Sequence, residues 1–190
     1  MIRFAHPSDA NQLVAIYQPY VEKTAITFDH VSPTVGQFQQ RMQHIQAFYP
    51  YLVYEEEGRL LAYAYASHLN TRAAYAWSCE VSIYVDQHSR GKGIGRRLYQ
   101  ALERYLTAMG IINCNACIAT SKIPSSYLPL ASHMFHQKLG YHLVGTFHKA
   151  GYKLDQWFDI TWMEKALSHH TRGQKPPRSI HEVLKDGKKD

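Results

Sequence analysis

The fold of this 190-residue chain is indicated first by the glycine-rich basic segment Arg90-Gly91-Lys92-Gly93-Ile94-Gly95-Arg96-Arg97. The segment follows a strand-like run ending at Val85 and opens a run with helical spacing of apolar residues, which ends at Gly110. Glycines let a backbone approach a ligand closely, and the first N–H groups of a helix attract anions. Together with the four basic side chains, this pattern predicts a strand–turn–helix unit that binds a diphosphate.

Two common diphosphate motifs do not fit this segment. The P-loop pattern GxxxxGK[ST] is absent, and the dinucleotide pattern GxGxxG fails because Arg96 occupies its last position after Gly91 and Gly93. Taken alone, the segment also fits a basic, glycine-rich loop that merely starts a helix. The surrounding sequence therefore has to decide between these interpretations.

Hydrophobic periodicity predicts a mixed α/β sheet around this unit. Ser8 is expected to cap the first helix, and Gly58 lies in a polar turn that predicts an antiparallel hairpin. Because a hairpin feeds a strand–helix–strand unit, we expect a mostly antiparallel sheet rather than a doubly wound parallel one. The predicted strands are residues 2–4, 51–54, 60–67, 77–85, 111–118, 142–147 and 157–163, and the predicted helices follow Ser8, Thr34 and Gly93, with a short one over 131–139.

Composition and charge limit the classes of protein. Hydrophobic residues make up 45% of the chain and aromatic residues 13%, which is enough for a packed core and excludes general disorder. The longest apolar run, Leu60 to Ala66, is far shorter than the roughly 20 residues of a membrane-spanning helix. Residues 1–10 show no apolar signal-peptide core. We expect a cytoplasmic protein without a membrane partner.

The last 23 residues differ from the rest of the chain. Residues 168–190 hold six of the 21 Lys and Arg residues and three of the 15 acids, so half of the net charge of +6 lies there. The remainder, close to neutral, gives no strong case for nucleic-acid binding. The tail contains Pro176-Pro177 and shows no apolar periodicity. We therefore expect one domain over 1–167 and a basic, poorly ordered tail over 168–190.

The cysteines predict neither disulfides nor a metal centre. Three cysteines are an odd number, and Cys114 and Cys117 fall in a strand-like run where alternation points them to opposite faces. There is no second CxxC motif, and His133 and His136 have no acidic third ligand nearby in sequence. No metal is expected.

The pattern Arg90-x-x-Gly93-x-Gly95 resembles the Q/R-x-x-G-x-G/A signature of the GNAT family of N-acetyltransferases. The resemblance extends over residues 1–167 and is closest to the phosphinothricin acetyltransferase-like branch. It implies the GNAT fold: a central, mostly antiparallel sheet with a β-α-β core that binds CoA, and flanking helices. The closer match is carried by Ala25-Ile26-Thr27-Phe28, Arg72-Ala73-Ala74-Tyr75, Glu80 to Val85, Phe135 to Tyr141, Gly151-Tyr152-Lys153 and Trp157-Phe158-Asp159.

The resemblance implies acetyl-CoA as cosubstrate. Its pyrophosphate would bind the glycine loop, and its pantetheine arm would pair with the backbone of the preceding strand. One departure is the lack of the branch's usual asparagine in Pro129-Leu130-Ala131, which leaves one CoA contact in doubt. The implied CoA-binding residues are Ile83, Tyr84, Val85, Arg90, Gly91, Lys92, Gly93, Ile94, Gly95 and Arg96.

Two residues are candidates for proton transfer. Acetylation needs a neutral amine, so a base must take a proton from the ammonium ion. Glu80, in an apolar strand, is the candidate base, and partial burial would raise its pKa; the alternative is a glutamate in a salt bridge. His136 stands where many family members have a tyrosine that serves as the acid, and it could be acid, base or a packed helix residue.

The acceptor is the least defined part of the sequence-based prediction. Arg72 could pair with a substrate carboxylate, and Phe28 and Tyr75 could wall the amine pocket, although a surface arginine and core aromatics explain them equally well. The leading expectation is acetylation of an amino-acid analogue such as phosphinothricin, methionine sulfoximine or methionine sulfone, by a homodimer. The alternatives are an aminoglycoside, polyamine or protein N-terminus as acceptor, a non-catalytic CoA-binding module, and a nucleic-acid-associated protein that uses the tail.

Overall fold

A computed structural model describes residues 1–123, 125–128 and 131–187. Its strands form one sheet in the order β1-β2-β3-β4-β5-β7-β6, in which β4 and β5 are parallel and the other described neighbours antiparallel. This confirms the expected mixed, mostly antiparallel sheet. The elements are β1 (Ile2–Phe4), α1 (Ala10–Lys23), α2 (Val35–Gln46), β2 (Tyr51–Glu56), β3 (Arg59–His68), β4 (Ser78–Val85), α3 (Ile94–Met109), β5 (Asn113–Thr120), α4 (Ala131–Lys138), β6 (His142–Lys153), β7 (Gln156–Ala166) and α5 (Ile180–Asp186).

Helices cover both faces of the sheet. On one face α1 and α2 bury Leu13, Tyr17 and Met42 against Val53 and Tyr63 of β2 and β3. On the other face α3 packs its apolar side against the sheet, and every described residue of that core cluster is at most 8% exposed. The sheet thus separates two cores, and β4 contributes side chains to both faces.

Two local expectations need correction. Ser8 does not cap α1, because a 3-10 turn over Pro7–Asp9 precedes that helix and His6 caps the turn. The Asp9 carboxylate there accepts hydrogen bonds from Arg3 and from the His6 N–H. The last two strands are longer than predicted and run to Lys153 and from Gln156. By contrast, Thr34 caps α2, and Glu57-Gly58 form the expected hairpin turn with positive φ at both residues.

The parallel pair β4–β5 opens into a gap. The two strands are paired over three positions, from Ser78 with Asn113 to Glu80 with Asn115. At the end of this ladder the Asn115 side-chain amide donates to the Cys79 carbonyl oxygen at 3.1 Å. Beyond it, residues of both strands line a small cavity of about 60 Å³, including Ile83 and Ala116. The gap exposes one edge of β4 at the centre of the sheet.

The segment that follows Leu167 packs against the domain, in contrast to the poorly ordered tail that the sequence predicts. Ile180 is 3% exposed and joins the core beneath α3, together with Val183 and Leu184 of α5. Arg178 N–H donates to the Met109 carbonyl at 2.8 Å. The Ser179 hydroxyl accepts a hydrogen bond from the Glu182 N–H and caps α5. Residues 168–187 therefore complete the core on this face.

No helix among the described residues is long and apolar enough to cross a membrane.

Candidate active site

The glycine turn borders a pocket of about 350 Å³ on the α3 side of β4. The turn supplies Arg90, Gly91 and Gly93, and β4 supplies side chains from its last residues. The N-terminus of α3, with its unpaired N–H groups and positive dipole end, faces the same space. The expected diphosphate-binding turn therefore adjoins a cavity. The lining residues include Tyr20, Ile26, Ile83, Val85, Ser89, Ile94, Gly95, Arg96, Ser132 and Phe135.

The three glycines have two different roles. Gly91 and Gly93 have φ of 78° and 74°, and a Cβ added at either position would meet no heavy atom within 4 Å among the described residues. They are needed for backbone conformation and leave room for a ligand. At Gly95 an added Cβ would lie 3.1 Å from Phe135 Cε2, so this glycine allows α3 to pack closely on α4. Lys92 is exposed, and its carbonyl accepts a hydrogen bond from the Arg97 side chain.

Tyr20 of α1 contacts both the glycine turn and the end of β4. The Arg90 guanidinium carbon lies 5.0 Å from the centroid of the Tyr20 ring, which is a cation–π distance. The Tyr20 hydroxyl donates to the Val85 carbonyl oxygen and accepts from the Val85 N–H. The ring therefore orients an arginine of the pocket, and the hydroxyl holds the end of β4.

The backbone of β4 presents hydrogen-bonding groups to the gap. Asp86 N–H donates to the Leu61 carbonyl of β3, whereas the N–H and C=O of Val85 meet Tyr20 on the other edge. Since the bonding direction alternates along an antiparallel strand, the N–H and C=O of Val81 and Ile83 also face the gap. The Tyr84 side chain instead lies on the opposite face, with its ring 4.8 Å from that of Tyr17.

Glu80 lies where β4 and β5 separate. It is half-buried, pairs across the sheet with Ser67 on β3 and Asn115 on β5, and has its pKa raised above the ordinary value by burial. A buried carboxylate of raised pKa accepts a proton more readily than an exposed one. Glu80 forms no salt bridge among the described residues, which argues against its alternative role.

His136 is a packed, neutral histidine in this structure. Its Nδ1 lies 2.8 Å from the Ser132 carbonyl oxygen, which can only accept, so Nδ1 carries the hydrogen. Its Nε2 lies 2.9 Å from the Tyr99 hydroxyl and therefore accepts from it. Burial lowers the pKa of the imidazole, and the side chain is 4% exposed. Of the roles left open by the sequence, the geometry favours the packed residue over a free acid or base.

The three expected acceptor-binding residues lie in two loops. Arg72 and Tyr75 are exposed in the turn before β4, at the end of the strand where Glu80 lies. Phe28 lies in the loop between α1 and α2, with its ring against Gly151, where an added Cβ would be 2.1 Å from Phe28 Cε2. Lys153 Nζ donates to the Thr27 carbonyl at 2.7 Å and anchors the same loop.

Sequence reasoning missed several lining residues of the pocket. Tyr20, Ser132 and Phe135 line it, although they lie far from the glycine turn in sequence. Phe135 belongs to a segment that matched the branch, so its proximity to the loop could have been suspected. The CoA contact left in doubt by the missing asparagine falls on Pro129, Leu130 and Ala131. Pro129 and Leu130 lie outside the described residues, as does the side chain of Ala131. Among the described residues, no group of three His, Cys, Asp or Glu side chains could hold a metal ion.

Comparisons with known proteins identify the family of this chain. The acetyltransferase (GNAT) domain model matches residues 2–162. The chain is 30% identical to phosphinothricin N-acetyltransferase of Streptomyces viridochromogenes, over 96% of this chain and 93% of that protein. It is 29% identical to the L-methionine sulfoximine/L-methionine sulfone acetyltransferase of Salmonella typhimurium, over 89% and 95%.

A solved structure is similar over almost the whole chain. It is a GNAT superfamily phosphinothricin acetyltransferase from Sinorhizobium meliloti in complex with acetyl-CoA, with a TM-score of 0.82 and 30% identity. The alignment covers 95% of this chain and 97% of that one. This chain therefore belongs to the GNAT acetyltransferase family, as an acyltransferase with acetyl-CoA as its cosubstrate.

Proposed function

We propose that this enzyme acetylates the primary amine of a small amino-acid analogue and that Glu80 is the base. The observation that carries the proposal is the position of Glu80, half-buried at the point where β4 and β5 separate. Two proteins of about 30% identity are named for phosphinothricin and for methionine sulfoximine or sulfone. These compounds share an α-amino acid with an oxygen-bearing side chain, and we infer the same class for this acceptor.

The glycine turn and the start of α3 give the pocket the hydrogen-bond donors and positive charge that a pyrophosphate needs. The N–H groups at the start of α3 together with Arg90 and Arg96 would hold the pyrophosphate. The gap-facing backbone of Val81 and Ile83 would pair with the amides of the pantetheine arm. Acetyl-CoA supplies the activated acetyl group as a thioester.

Proton transfer explains the need for Glu80. A primary amine is protonated near neutral pH and cannot attack a carbonyl carbon until it loses that proton. Glu80 takes this proton, directly or through a water molecule, and the neutral amine then forms the C–N bond. A backbone N–H that faces the gap donates to the carbonyl oxygen as negative charge develops on it. The nitrogen of the tetrahedral intermediate then loses its second proton to water, the C–S bond breaks, and the departing CoA thiolate takes up a proton.

We propose that His136 acts through Tyr99 rather than as the acid itself. Both side chains line the small cavity between β4 and β5. The Tyr99 hydroxyl donates to His136 Nε2, and Ser132 fixes the orientation of the imidazole. His136 therefore holds Tyr99 beside the place where the thiolate leaves. The thiolate takes up the Tyr99 proton when that hydrogen turns from Nε2 to the sulfur, and a proton from water restores the hydroxyl. Tyr99→Phe is expected to lower kcat with an unchanged acetyl-CoA KM, and an unchanged kcat would contradict this role.

A thiol-release assay tests the acceptor class. Acetyl-CoA is combined with a panel of phosphinothricin, methionine sulfoximine, methionine sulfone, a polyamine and an aminoglycoside. Turnover of the amino-acid analogues that is weakened by Arg72→Ala would support the proposal and place the carboxylate at Arg72. Turnover of only the polyamine or aminoglycoside would overturn it. Acetyl-CoA binding without turnover of any amine would favour a protein acceptor or a non-catalytic module.

The exposed face of β6 supports a homodimer. β6 is the edge strand of the sheet, and Leu143, Val144 and Phe147 on it are 57–63% exposed. An apolar edge strand is prone to pair with another strand, and a two-fold axis would let two copies of β6 cover each other. Sedimentation equilibrium should give a dimer for the wild type and a monomer for Phe147→Glu. Val31→Glu, at a residue that is 80% exposed and lies outside β6, is the matched control.

A cytoplasmic location is also part of the proposal. Its support is the state of the cysteines: Cys79, Cys114 and Cys117 are all free thiols. Free thiols are typical of reducing compartments. Fractionation of cells that produce the full chain would test the location.

A further inference from the structure

A second cavity, of about 240 Å³, lies on the α1/α2 side of the sheet. We call it the tyrosine cavity, because Tyr17, Tyr51, Tyr63, Tyr65 and Tyr84 line it. Its volume is below the roughly 300–1,000 Å³ of pockets for drug-sized ligands, so it suits a single side chain better than an aminosugar. Neither the sequence motifs nor the pocket for the cosubstrate accounts for it.

The tyrosine cavity lies on the same face of the sheet as Glu80. Ser67, which lines the cavity, is the direct partner of Glu80 across β3 and β4. Tyr65 is the partner of Ser82 on β4 and of Tyr51 on β2. Residues directly opposite each other on antiparallel strands point to the same face, so these side chains form a row that leads from the base into the cavity. The charges of both Glu80 and Arg41 act on the Tyr65 hydroxyl.

The floor of the cavity carries two tyrosine hydroxyls without partners. Tyr51 and Tyr63 are 2% and 1% exposed, and their rings stack with centroids 5.8 Å apart. Neither hydroxyl makes a hydrogen bond to any residue that the structure describes, while both side chains line the cavity. Ser32 Oγ is the one described side-chain atom that is both fully buried and unpartnered, so the two tyrosine hydroxyls are open to the cavity and free to donate a hydrogen bond to a ligand atom placed there.

The charge of Arg41, which lines the cavity, is compensated. Arg41 Nη1 lies 2.8 Å from Asp29 Oδ2, and Asp29 also accepts a hydrogen bond from the Tyr17 hydroxyl. Among the described lining residues His44 is the other basic one, so the cavity offers hydroxyl donors and a compensated arginine rather than a cluster of free cations. Such a surface favours a ligand whose uncharged oxygen atoms accept hydrogen bonds over a ligand that carries a full negative charge.

We propose that the tyrosine cavity receives the side chain of the acceptor amino acid and that Tyr51 and Tyr63 select an uncharged, oxygen-bearing head such as a sulfone. The proposal rests on the proposed function, since it places the acceptor amine at Glu80. It adds a specificity site to which Arg72, Phe28 and Tyr75 do not contribute. It also predicts that methionine sulfone is a better acceptor than the anionic phosphinothricin.

The test compares L-methionine sulfone with L-methionine, which differs by the two oxygens. In Tyr51→Phe and Tyr63→Phe the ratio of kcat/KM for sulfone over methionine should fall roughly 2- to 12-fold, the worth of one hydrogen bond. Acetyl-CoA KM should not change. Tyr54→Phe, a buried tyrosine on the other face of β2, is the control and should keep the wild-type ratio.

The outcomes separate the two proposals. Because the hydroxyls have no protein partner in the free enzyme, neither phenylalanine variant should melt at a lower temperature than the wild type. Turnover of the sulfone with an unchanged ratio in both variants would overturn the cavity assignment alone. Lack of turnover of every amino acid by the wild type would overturn the proposed function. Asp29→Asn should raise kcat/KM for phosphinothricin relative to the sulfone, and a ratio that stays constant would contradict the charge argument.

Discussion

The hydroxyl of Tyr20 bridges the N–H and the C=O of Val85, 65 residues away in sequence. The N–H to hydroxyl distance is 3.1 Å. This contact occupies the backbone groups of Val85. Val81 and Ile83 are therefore the residues of β4 whose N–H and C=O groups still face the gap. The contact also fixes the ring on which Arg90 rests. One side chain of α1 thereby links the strand to the loop of the pocket.

Tyr20→Phe should weaken both the fold and the binding of acetyl-CoA. Loss of the hydroxyl leaves the polar groups of Val85 without a partner, which should lower the free energy of unfolding by about 0.5–1.5 kcal/mol. The ring beneath Arg90 remains, so Tyr20→Leu should raise the acetyl-CoA KM more than Tyr20→Phe does. Denaturant unfolding and initial rates measure the two effects. An acetyl-CoA KM that stays at the wild-type value in Tyr20→Leu would remove the role assigned to the ring.

Glu80→Gln should lower kcat by about 10²- to 10⁴-fold, the range for a lost general base. The amide keeps the size of the side chain but cannot accept a proton from the ammonium ion. Acetyl-CoA affinity, measured by calorimetry, should stay the same because the pocket lies on the other side of β4. A wild-type rate at neutral pH would eliminate Glu80 as the base.

The pH dependence follows from the raised pKa of Glu80. Burial favours the neutral carboxyl, so kcat/KM should rise with pH along a limb centred above the ordinary glutamate value of 4.5. In the folded state the proton is held more tightly than in the unfolded chain. The contribution of Glu80 to stability is therefore fully present below 4.5 and is lost as pH rises through the raised pKa.

Glu80→Gln provides the control for this pH argument. The remaining kcat/KM of the variant should not show this rise with pH. Near neutral pH the melting temperature of the variant should be no lower than that of the wild type. The stability difference between the two proteins should vanish below the ordinary glutamate pKa. A wild-type limb at or below that value would contradict the burial argument.

Local patterns predicted the elements well, because each depends on residues close in sequence. The turn from Gly91 into α3 follows from the glycines and the helical spacing, and the hairpin follows from Gly58. The separation of β4 from β5 was not predictable from periodicity. It depends on where the ladder ends, at Glu80 and Asn115.

Contacts between distant segments account for what the sequence could not show. Tyr20 meets Val85, and Tyr51 stacks on Tyr63, only after the sheet has formed. In a chain with 14 tyrosines, no local signal distinguishes these from the others. The position of His136 was predictable from the resemblance, but its hydrogen bond from Tyr99 was not.

Gly93→Val should raise the acetyl-CoA KM. Gly93 has a φ of 74°, which a β-branched residue adopts only at a cost, and the new side chain would occupy the space over the turn. The acceptor KM should change little, since the proposed acceptor site lies on the other face. Gly36→Ala in α2, where an added Cβ also meets nothing within 4 Å among the described residues, is the control and should bind acetyl-CoA normally. Normal affinity in Gly93→Val would refute the role of the turn.

Deletion of residues 168–190 should destabilise the domain, because the tail buries part of the core beneath α3. Ile180 is 3% exposed and its N–H donates to the Phe48 carbonyl at 2.9 Å, while Trp77 Nε1–H donates to the Lys175 carbonyl at 2.8 Å. Burial of one isoleucine side chain stabilises by about 1.5–3 kcal/mol, and the hydrogen bonds add to this.

The free energy of unfolding should therefore fall by about 3 kcal/mol or more in the deletion variant, and by about 2–5 kcal/mol in Ile180→Ala. Arg172→Ala, at an exposed position of the same tail, is the control and should leave stability unchanged. Equal melting temperatures for the full chain and the 168–190 deletion would show that the tail adds nothing to the core, as the sequence alone suggests. If the free energy of unfolding falls only in the variants that lose Ile180, the stabilisation belongs to the contact of Ile180 with α3. The Ile180 side chain is the most deeply buried one of the described tail.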